Sequence, residues 1–366
     1  LPSPFIKLKF LFISYYFPPE SFAASIRAYN YIKYLKDFTE PVVLTKKLPS
    51  KILKDNSLIE DLINVKIERV FDYLIFLKMP LGIRNKGGRE LKRYLRPFYK
   101  RAKMLLKEEN FKFIFVSIPP FELLKVALSL KRRFNLPLIC EIRDPADFES
   151  GKKFKKFIKN SENIVDLFIG SHFYVLKSFG IKGYVLHGGI IEFERRAHEG
   201  FNIIYTGTLK NAMESFVRFV KFTESINYNL YLLGPEVRLK DKRIKNIGYV
   251  EYKNLKNYFE IADLFIIFRD SDTKNYIPLK FFEYSGSSVP VLAYFKNFSN
   301  LFSYLEKYKK GKGFVWGEED KMLKFIEDIK KGKLFFEKAF KPWKDVSLEL
   351  LKVINEKVLN RNNRLF

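Results

Sequence analysis

Asn275-Tyr276-Ile277-Pro278-Leu279-Lys280-Phe281-Phe282-Glu283-Tyr284 is followed at once by Ser285-Gly286-Ser287-Ser288-Val289-Pro290-Val291-Leu292-Ala293. Pro278 can open a helix, because a residue in the first turn has no use for the N–H that proline lacks. Lys280 and Glu283, three residues apart, then share one helix face. The small-residue stretch reads as a turn, and 289–293 as a parallel strand buried on both faces. A charged helix set before a buried strand is how an α/β sheet presents ionic groups to a ligand. Taken by spacing alone, the same two residues make an ordinary surface ion pair.

The pattern extends through the chain. Strand-like runs at 5–14, 42–45, 65–70, 113–117, 136–142, 166–170 and 184–186 alternate with helical segments at 24–36, 121–133 and from about 171. A second series follows at 202–205, 229–233, 246–250, 263–268 and 289–294, with helices at 212–223, 253–261 and after Pro278. Such alternation predicts two doubly wound parallel sheets, with ligand sites beyond the carboxyl ends of their strands. The boundary falls between His187 and Gly200, where His187-Gly188-Gly189-Ile190 ends a strand and 192–199 is a charged, linker-like run. The predicted domains are 1–190 and 201–342, and 343–360 reads as an amphipathic helix within a closing segment, 343–366.

Composition bounds the setting. A chain of 366 residues is too long for one ordinary core. Its single cysteine, Cys140, excludes an internal disulfide and a cysteine metal cage, and fits a core thiol in a reducing cytoplasm. No apolar run is long enough for a membrane-spanning helix, and the first residues do not read as a signal peptide. A net charge of +26 demands an anionic partner. Between Arg84 and Lys107 ten Lys/Arg stand against one Glu, interleaved with Leu and aromatic residues. That is the composition of an interfacial helix, and Arg89, Lys92, Arg93, Arg96, Lys100 and Arg101 are its candidate contacts to an anionic membrane. Pro97 divides the stretch into two helices on this reading. A nucleic-acid or other polyanion binder is the competing class, although no recognisable nucleic-acid module is present and no nucleic-acid partner is expected.

Pro278-Leu279-Lys280-Phe281-Phe282-Glu283-Tyr284 ahead of Val289-Pro290-Val291-Leu292-Ala293 resembles the nucleotide-sugar site of retaining glycosyltransferases of the GT-B fold, in particular glycosyltransferase family 4. The resemblance implies two Rossmann-like domains facing across a cleft, with the C-terminal helix crossing back to the first. It also implies that Glu283 holds the donor's ribose hydroxyls and that helix N-termini hold its diphosphate, both sound chemistry for a carboxylate and for free N–H groups. Tyr205-Thr206-Gly207-Thr208-Leu209 is similar to the segment that opens the second domain of that family, and Gly248-Tyr249-Val250 to the one that frames the nucleobase. The donor-binding candidates are Gly207, Thr208, Lys210, Tyr249, Pro278, Leu279, Lys280 and Glu283.

Two further matches lie in the first half. Phe17-Pro18-Pro19-Glu20, followed by Ser21-Phe22-Ala23-Ala24-Ser25-Ile26-Arg27, resembles the family's first-strand exit, with Ser and Ala in place of the usual glycine pair. Ile142-Arg143-Asp144-Pro145 stands where similar sequences place an Arg-Asp pair at the cleft. The candidates for catalysis are Asp144, Lys280 and Arg27; for the acceptor side they are Pro19, Glu20, Arg143 and His187. Asn275 occupies the position of the family's first glutamate, and the arginine usual near Thr208 is missing. The implied reaction is metal-independent transfer with retention. The donor is a nucleotide-sugar co-substrate (UDP- or GDP-sugar), the acceptor a glycan or lipid-linked glycan, and no cofactor is required. An epimerase of the same fold is a further alternative.

Overall fold

The computed structural model describes residues 7–48, 53–71 and 89–360, and of residues 89–94 the backbone alone. The chain divides into two compact units, Leu1–His187 with Trp343–Phe366, and Gly188–Pro342.

The first unit is built on seven strands: β1 (Leu8–Ser14), β2 (Thr39–Lys46), β3 (Lys66–Val70), β4 (Phe113–Ile118), β5 (Leu138–Ile142), β6 (Leu167–Gly170) and β7 (Tyr184–Val185). They lie in the order β3-β2-β1-β4-β5-β6-β7, and every pairing is parallel. The central strands are buried along nearly their whole length, which is why they read as continuous apolar runs rather than alternating ones. Helices Arg89–Glu108, Leu123–Phe134, Glu149–Asn160 and Phe173–Phe179 contribute to one core cluster with Leu11, Ile114, Cys140 and Phe168. Helix Trp343–Ile354 packs on helix Ala23–Leu35: the Ser347 hydroxyl lies within donating reach of the Asn30 carbonyl, at 3.3 Å, and Trp343 meets Tyr31 edge-on at 6.1 Å. The closing segment thus returns to the first sheet.

The second unit has six strands: β8 (Asn202–Thr206), β9 (Asn229–Leu233), β10 (Ile244–Gly248), β11 (Leu264–Arg269), β12 (Val291–Phe295) and β13 (Gly311–Val315). Their order is β10-β9-β8-β11-β12-β13, again all parallel. In both sheets the first strand sits inside, so the chain winds out one way and then the other. This is the doubly wound topology that the alternation of elements predicts.

The structure departs from the sequence reading at several places. Strand β13 was not anticipated, because Gly-Lys-Gly is not an apolar run. A side chain at Gly311 would place its Cβ 1.8 Å from the Val291 carbonyl, so only glycine lets this edge strand close on β12. The charged run 192–199 is not a free linker: buried Phe193 packs against Phe259 and Phe265, Arg195 pairs with Asp263, and the Arg196 amide donates to the Glu260 carbonyl at 2.7 Å. Pro97 does not split its helix. Arg89–Glu108 is continuous with Pro97 inside it.

Candidate functional site

In the second unit the motif around Pro278 folds as a six-residue helix, Leu279–Tyr284, with Pro278 extended as its N-cap. Phe281 and Phe282 are buried and anchor the helix, and Glu283 is buried beside them. The Lys280 ammonium donates to the carbonyl of Thr206, the last residue of β8, and lies over the Tyr205 ring, 4.1 Å from its centre. Tyr284 locks the same junction: its hydroxyl lies 2.8 Å from both the amide nitrogen and the hydroxyl oxygen of Thr206, and its ring stacks on Phe265 at 4.2 Å. The next residue is Gly207, with φ +98°, which glycine adopts without strain. A Cβ there would stand 3.4 Å from Lys280 Nζ, so the backbone of Gly207 and the ammonium adjoin.

Burial governs the charges. It pulls the Lys280 ammonium down to about 8, against the opposing pull of Glu283. The same cause pushes the Glu283 carboxyl up to about 7, although Tyr252 bonds to it and Lys280 lies nearby. Tyr252 stands beside an open cleft of about 460 Å³ lined by Ile247, Tyr249, Val250, Glu251, Asn254, Asn257 and Tyr258. One short segment therefore links the Glu283 carboxyl to a cleft walled by two tyrosines. Thr208 and Lys210 are exposed on the loop after Gly207, where the Lys210 amide donates to the Thr208 hydroxyl at 3.2 Å. The structure thus brings together Gly207, Lys280 and Glu283, with Tyr249 in the neighbouring cleft.

The acidic residues of Asp270-Ser271-Asp272 serve the fold. Asp270 accepts from the amides of Glu214 and Ser215 at 2.9 and 2.8 Å, capping helix Met213–Phe222, and Asp272 pairs with Asn297. Among the described residues no group of three His, Cys, Asp or Glu side chains is placed to share a metal ion.

In the first unit several candidates take other parts. Arg27 is not presented to a ligand. It is buried, its Nε is 2.5 Å from Glu141 Oε1 and its Nη2 donates to the Leu186 carbonyl at 2.6 Å. Glu141 also accepts from Tyr31 at 2.9 Å and from Ser117. Burial alone would raise the Glu141 carboxyl, but Arg27, Arg143 and Ser117 outweigh it and hold it below its ordinary range. Sequence reasoning missed this network. Its signal was a glutamate inside the fully buried strand Leu138–Ile142, since a carboxylate there needs a cation.

Arg143 is likewise spent on backbone: it donates to the carbonyls of Ile118 (3.2 Å), Ala24 (3.0 Å) and Pro119, tying the exits of β4 and β5 to the first turn of helix Ala23–Leu35. Asp144 beside it is half-buried. Glu20 is fully buried, with Oε1 2.8 Å from the Lys46 ammonium and Oε2 without a hydrogen-bond partner among the described residues. Burial raises its carboxyl above the ordinary value despite Lys46, Arg69 and Arg143. Pro19 and His187 are half-buried, and the buried His172 ring is pulled down to about 3 by burial, with smaller pushes from His187 and Arg27.

The basic helix also differs from its expected part. Its apolar stripe, Phe98, Leu105 and Leu106, is buried in the first unit's core and is not available to lipid. Arg101 forms a two-pronged bond with Glu68, at 3.1 and 2.8 Å. Arg96 and Lys100 are exposed, while the side chains of Arg89, Lys92 and Arg93, and all of residues 84–88, lie outside the described residues. No described helix is long and apolar enough to cross a membrane.

No family model and no curated protein matches the chain by sequence. Solved structures match it by shape along nearly its whole length. A sucrose-phosphate synthase from Thermosynechococcus elongatus superimposes with a TM-score of 0.66 at 10% identity, over 96% of this chain and 99% of that one. A UDP-GlcNAc 2-epimerase from Methanocaldococcus jannaschii gives 0.61 at 10%, over 96% and 99%. A UDP-glucosyltransferase from Polygonum tinctorium gives 0.55 at 10%, over 95% and 94%. At such identity the likeness speaks for architecture, and the architecture is GT-B: two Rossmann-like units of parallel sheet and helices.

Proposed function

We propose that this chain is a glycosyltransferase that takes its sugar from a nucleotide-sugar donor held by the second unit. The observation that carries the reading is the meeting of Gly207, Lys280 and Glu283 at the carboxyl end of β8, beside the cleft walled by Tyr249 and Tyr258. Parallel sheets bind ligands at that end. Glu283 is the acceptor for the ribose hydroxyls, Tyr249 borders the base, and Lys280 meets the diphosphate across the open face of Gly207. The Leu279–Tyr284 helix is too short to supply much field of its own, so the cation is the side chain.

In the proposed reaction the bond from the anomeric carbon to the diphosphate oxygen breaks, and an acceptor hydroxyl oxygen bonds to that carbon. The hydroxyl proton passes to an oxygen of the departing diphosphate on the same face, giving retention without a dedicated protein base or a metal. Lys280 stabilises the charge that develops on the leaving group. Arg27, bound to Glu141, has no part in that contact. The loops around Glu20 and Asp144 in the first unit take a glycan or lipid-linked acceptor, and the setting is polysaccharide or glycolipid synthesis at the cytoplasmic face of a membrane.

The likeness to a UDP-GlcNAc 2-epimerase supports a second reading, in which the donor is rearranged rather than transferred. Thermal unfolding with UDP, GDP, ADP and dTDP tests the shared part: one of them should stabilise the chain, and Glu283→Ala should abolish the shift. Acceptor-dependent release of that diphosphate then marks a transferase. An altered sugar still joined to its nucleotide would mark an epimerase.

A further inference from the structure

Helices Leu123–Phe134, Glu149–Asn160 and Phe173–Phe179 lie side by side on the first sheet, with their inner sides in one core cluster. The middle one, Glu-Ser-Gly-Lys-Lys-Phe-Lys-Lys-Phe-Ile-Lys-Asn, is sharply two-faced. Ile158 is buried, and Phe154 and Phe157 pack inward, where the Lys125 ammonium lies over both rings at 5.3 and 5.5 Å. Lys152, Lys155 and Lys156 are exposed, and among the described residues none has a carboxylate within ion-pair distance. Arg132 and Arg133 extend the charge on one neighbour, and Lys177 does so on the other, beside Phe173, which is 52% exposed.

We infer that this three-helix face docks the protein onto a bilayer containing anionic lipid. It is a different surface from the basic helix singled out by the sequence, whose apolar side is consumed by the core. Two features favour a bilayer over a soluble polyanion. The cations are mostly lysines spread over a helical layer, point charges without the fork that reads a phosphate bidentately. An exposed phenylalanine, Phe173, stands beside Lys177, whose ammonium is 5.7 Å from the ring centre, and an aromatic gains from entering the headgroup boundary while contributing nothing to a purely ionic contact. The helix is also firmly joined to the candidate acceptor loop: a Cβ at Gly151 would lie 2.7 Å from Ala146 Cα and 2.8 Å from the Pro145 oxygen, so the first turn rests directly on the residues that follow Asp144. Docking through the lysines therefore fixes the height of the Asp144 loop above the lipid.

Co-sedimentation with vesicles of equal parts phosphatidylglycerol and phosphatidylcholine, against phosphatidylcholine alone, tests the inference on the full chain. Binding should require the anionic lipid and weaken with salt. Replacing Lys152, Lys155 and Lys156 together by Gln should lower partitioning by about 100-fold, since each lysine near an anionic surface contributes about a fivefold factor. Phe173→Ser on its own should lower partitioning by about tenfold. Thermal unfolding will show whether either variant remains folded, as expected for exposed positions. Partitioning unchanged in the triple variant overturns the inference. So does equal loss of vesicle and DNA binding in that variant with no effect of Phe173→Ser, which would make the face a general polyanion site. Nucleotide diphosphate binding by the second unit is read separately, so failure here leaves the proposed donor site standing, and the reverse holds.

Discussion

The Lys280 ammonium donates to the carbonyl of Thr206, joining a short helix to a strand end 74 residues earlier in the chain. The interaction closes the second sheet's carboxyl edge, and it also parks a cation beside Gly207. On the proposed function Lys280 exchanges this backbone carbonyl in the free protein for a phosphate in the bound one. Lys280→Ala should leave the fold nearly intact, because Tyr284 still holds Thr206. Turnover should drop by about 100- to 1,000-fold, the usual scale for losing one charge-stabilising group. Full turnover in the variant would remove Lys280 from the leaving-group contact.

Acidity at this site predicts a narrow pH range for donor binding. Glu283, raised to about 7, must lose its proton to accept from two hydroxyls, so affinity should fall as pH drops below that value. Lys280, lowered to about 8, loses its charge above that value, and diphosphate affinity should fall there too. Calorimetric titration across this range should show a maximum between about 7 and 8. In Glu283→Gln the acid limb should vanish while the alkaline limb stays. An unchanged acid limb would assign it to another group.

Gly207 tests how closely backbone and ammonium adjoin. Gly207→Ala forces a side chain into a positive-φ position at a cost of about 1–3 kcal/mol. Its methyl would also stand 3.4 Å from Lys280 Nζ, on the side where a phosphate is proposed to sit. Denaturation should report the modest stability loss, and diphosphate affinity should fall by more than that loss explains. Equal affinity in a destabilised variant would place the phosphate elsewhere.

Much of this was legible in the sequence for a local reason. The strands of a parallel sheet are continuous apolar runs, and 229–233 was read at its observed bounds, Asn229–Leu233. The Pro278 segment read as a helix because Pro and the apolar spacing agree over one turn and a half. What stayed hidden depends on distant partners. Arg27 was a catalytic candidate through the resemblance of its segment to a first-strand exit, yet its carboxylate partner Glu141 lies 114 residues away, where no local pattern reveals it. Strand β13 carries two glycines whose necessity appears only against Val291 and Phe302. The basic helix 89–108 has the same amphipathic signature whether its apolar side meets lipid or a sheet, and only packing distinguishes the two.

The buried pair in the first unit separates structure from catalysis. Glu141→Ala leaves the Arg27 guanidinium buried and unpaired by any carboxylate, and should cost about 3–5 kcal/mol. Replacing both, as Arg27→Met with Glu141→Leu, removes the charge imbalance and should recover part of that loss in chemical denaturation, the Tyr31 and Ser117 hydroxyls still lacking their acceptor. The double variant should also retain diphosphate binding, because Arg27 serves Glu141 and Leu186 rather than the donor. Stability restored with binding lost would return Arg27 to the active site.

Lys310 offers a last test, of a buried charge with no counter-ion among the described residues. It is wholly inaccessible, and its ammonium donates to the carbonyls of Ser287 (2.6 Å) and Val289 (3.1 Å); burial pulls it down to about 7. In the unfolded chain the same lysine holds its proton to about 10.5. Between these values the unfolded state binds more protons, so this residue makes the fold more stable as pH rises, with a slope of at most about 1.4 kcal/mol per pH unit. Below the lower value the penalty is full and constant. Lys280 adds a weaker trend of the same sign, so the difference between wild type and Lys310→Met isolates the effect. That difference should favour the variant most at and below neutral pH and shrink toward the alkaline end. A difference that does not change with pH would mean that Lys310 keeps its charge in the folded protein, held by the two carbonyls alone.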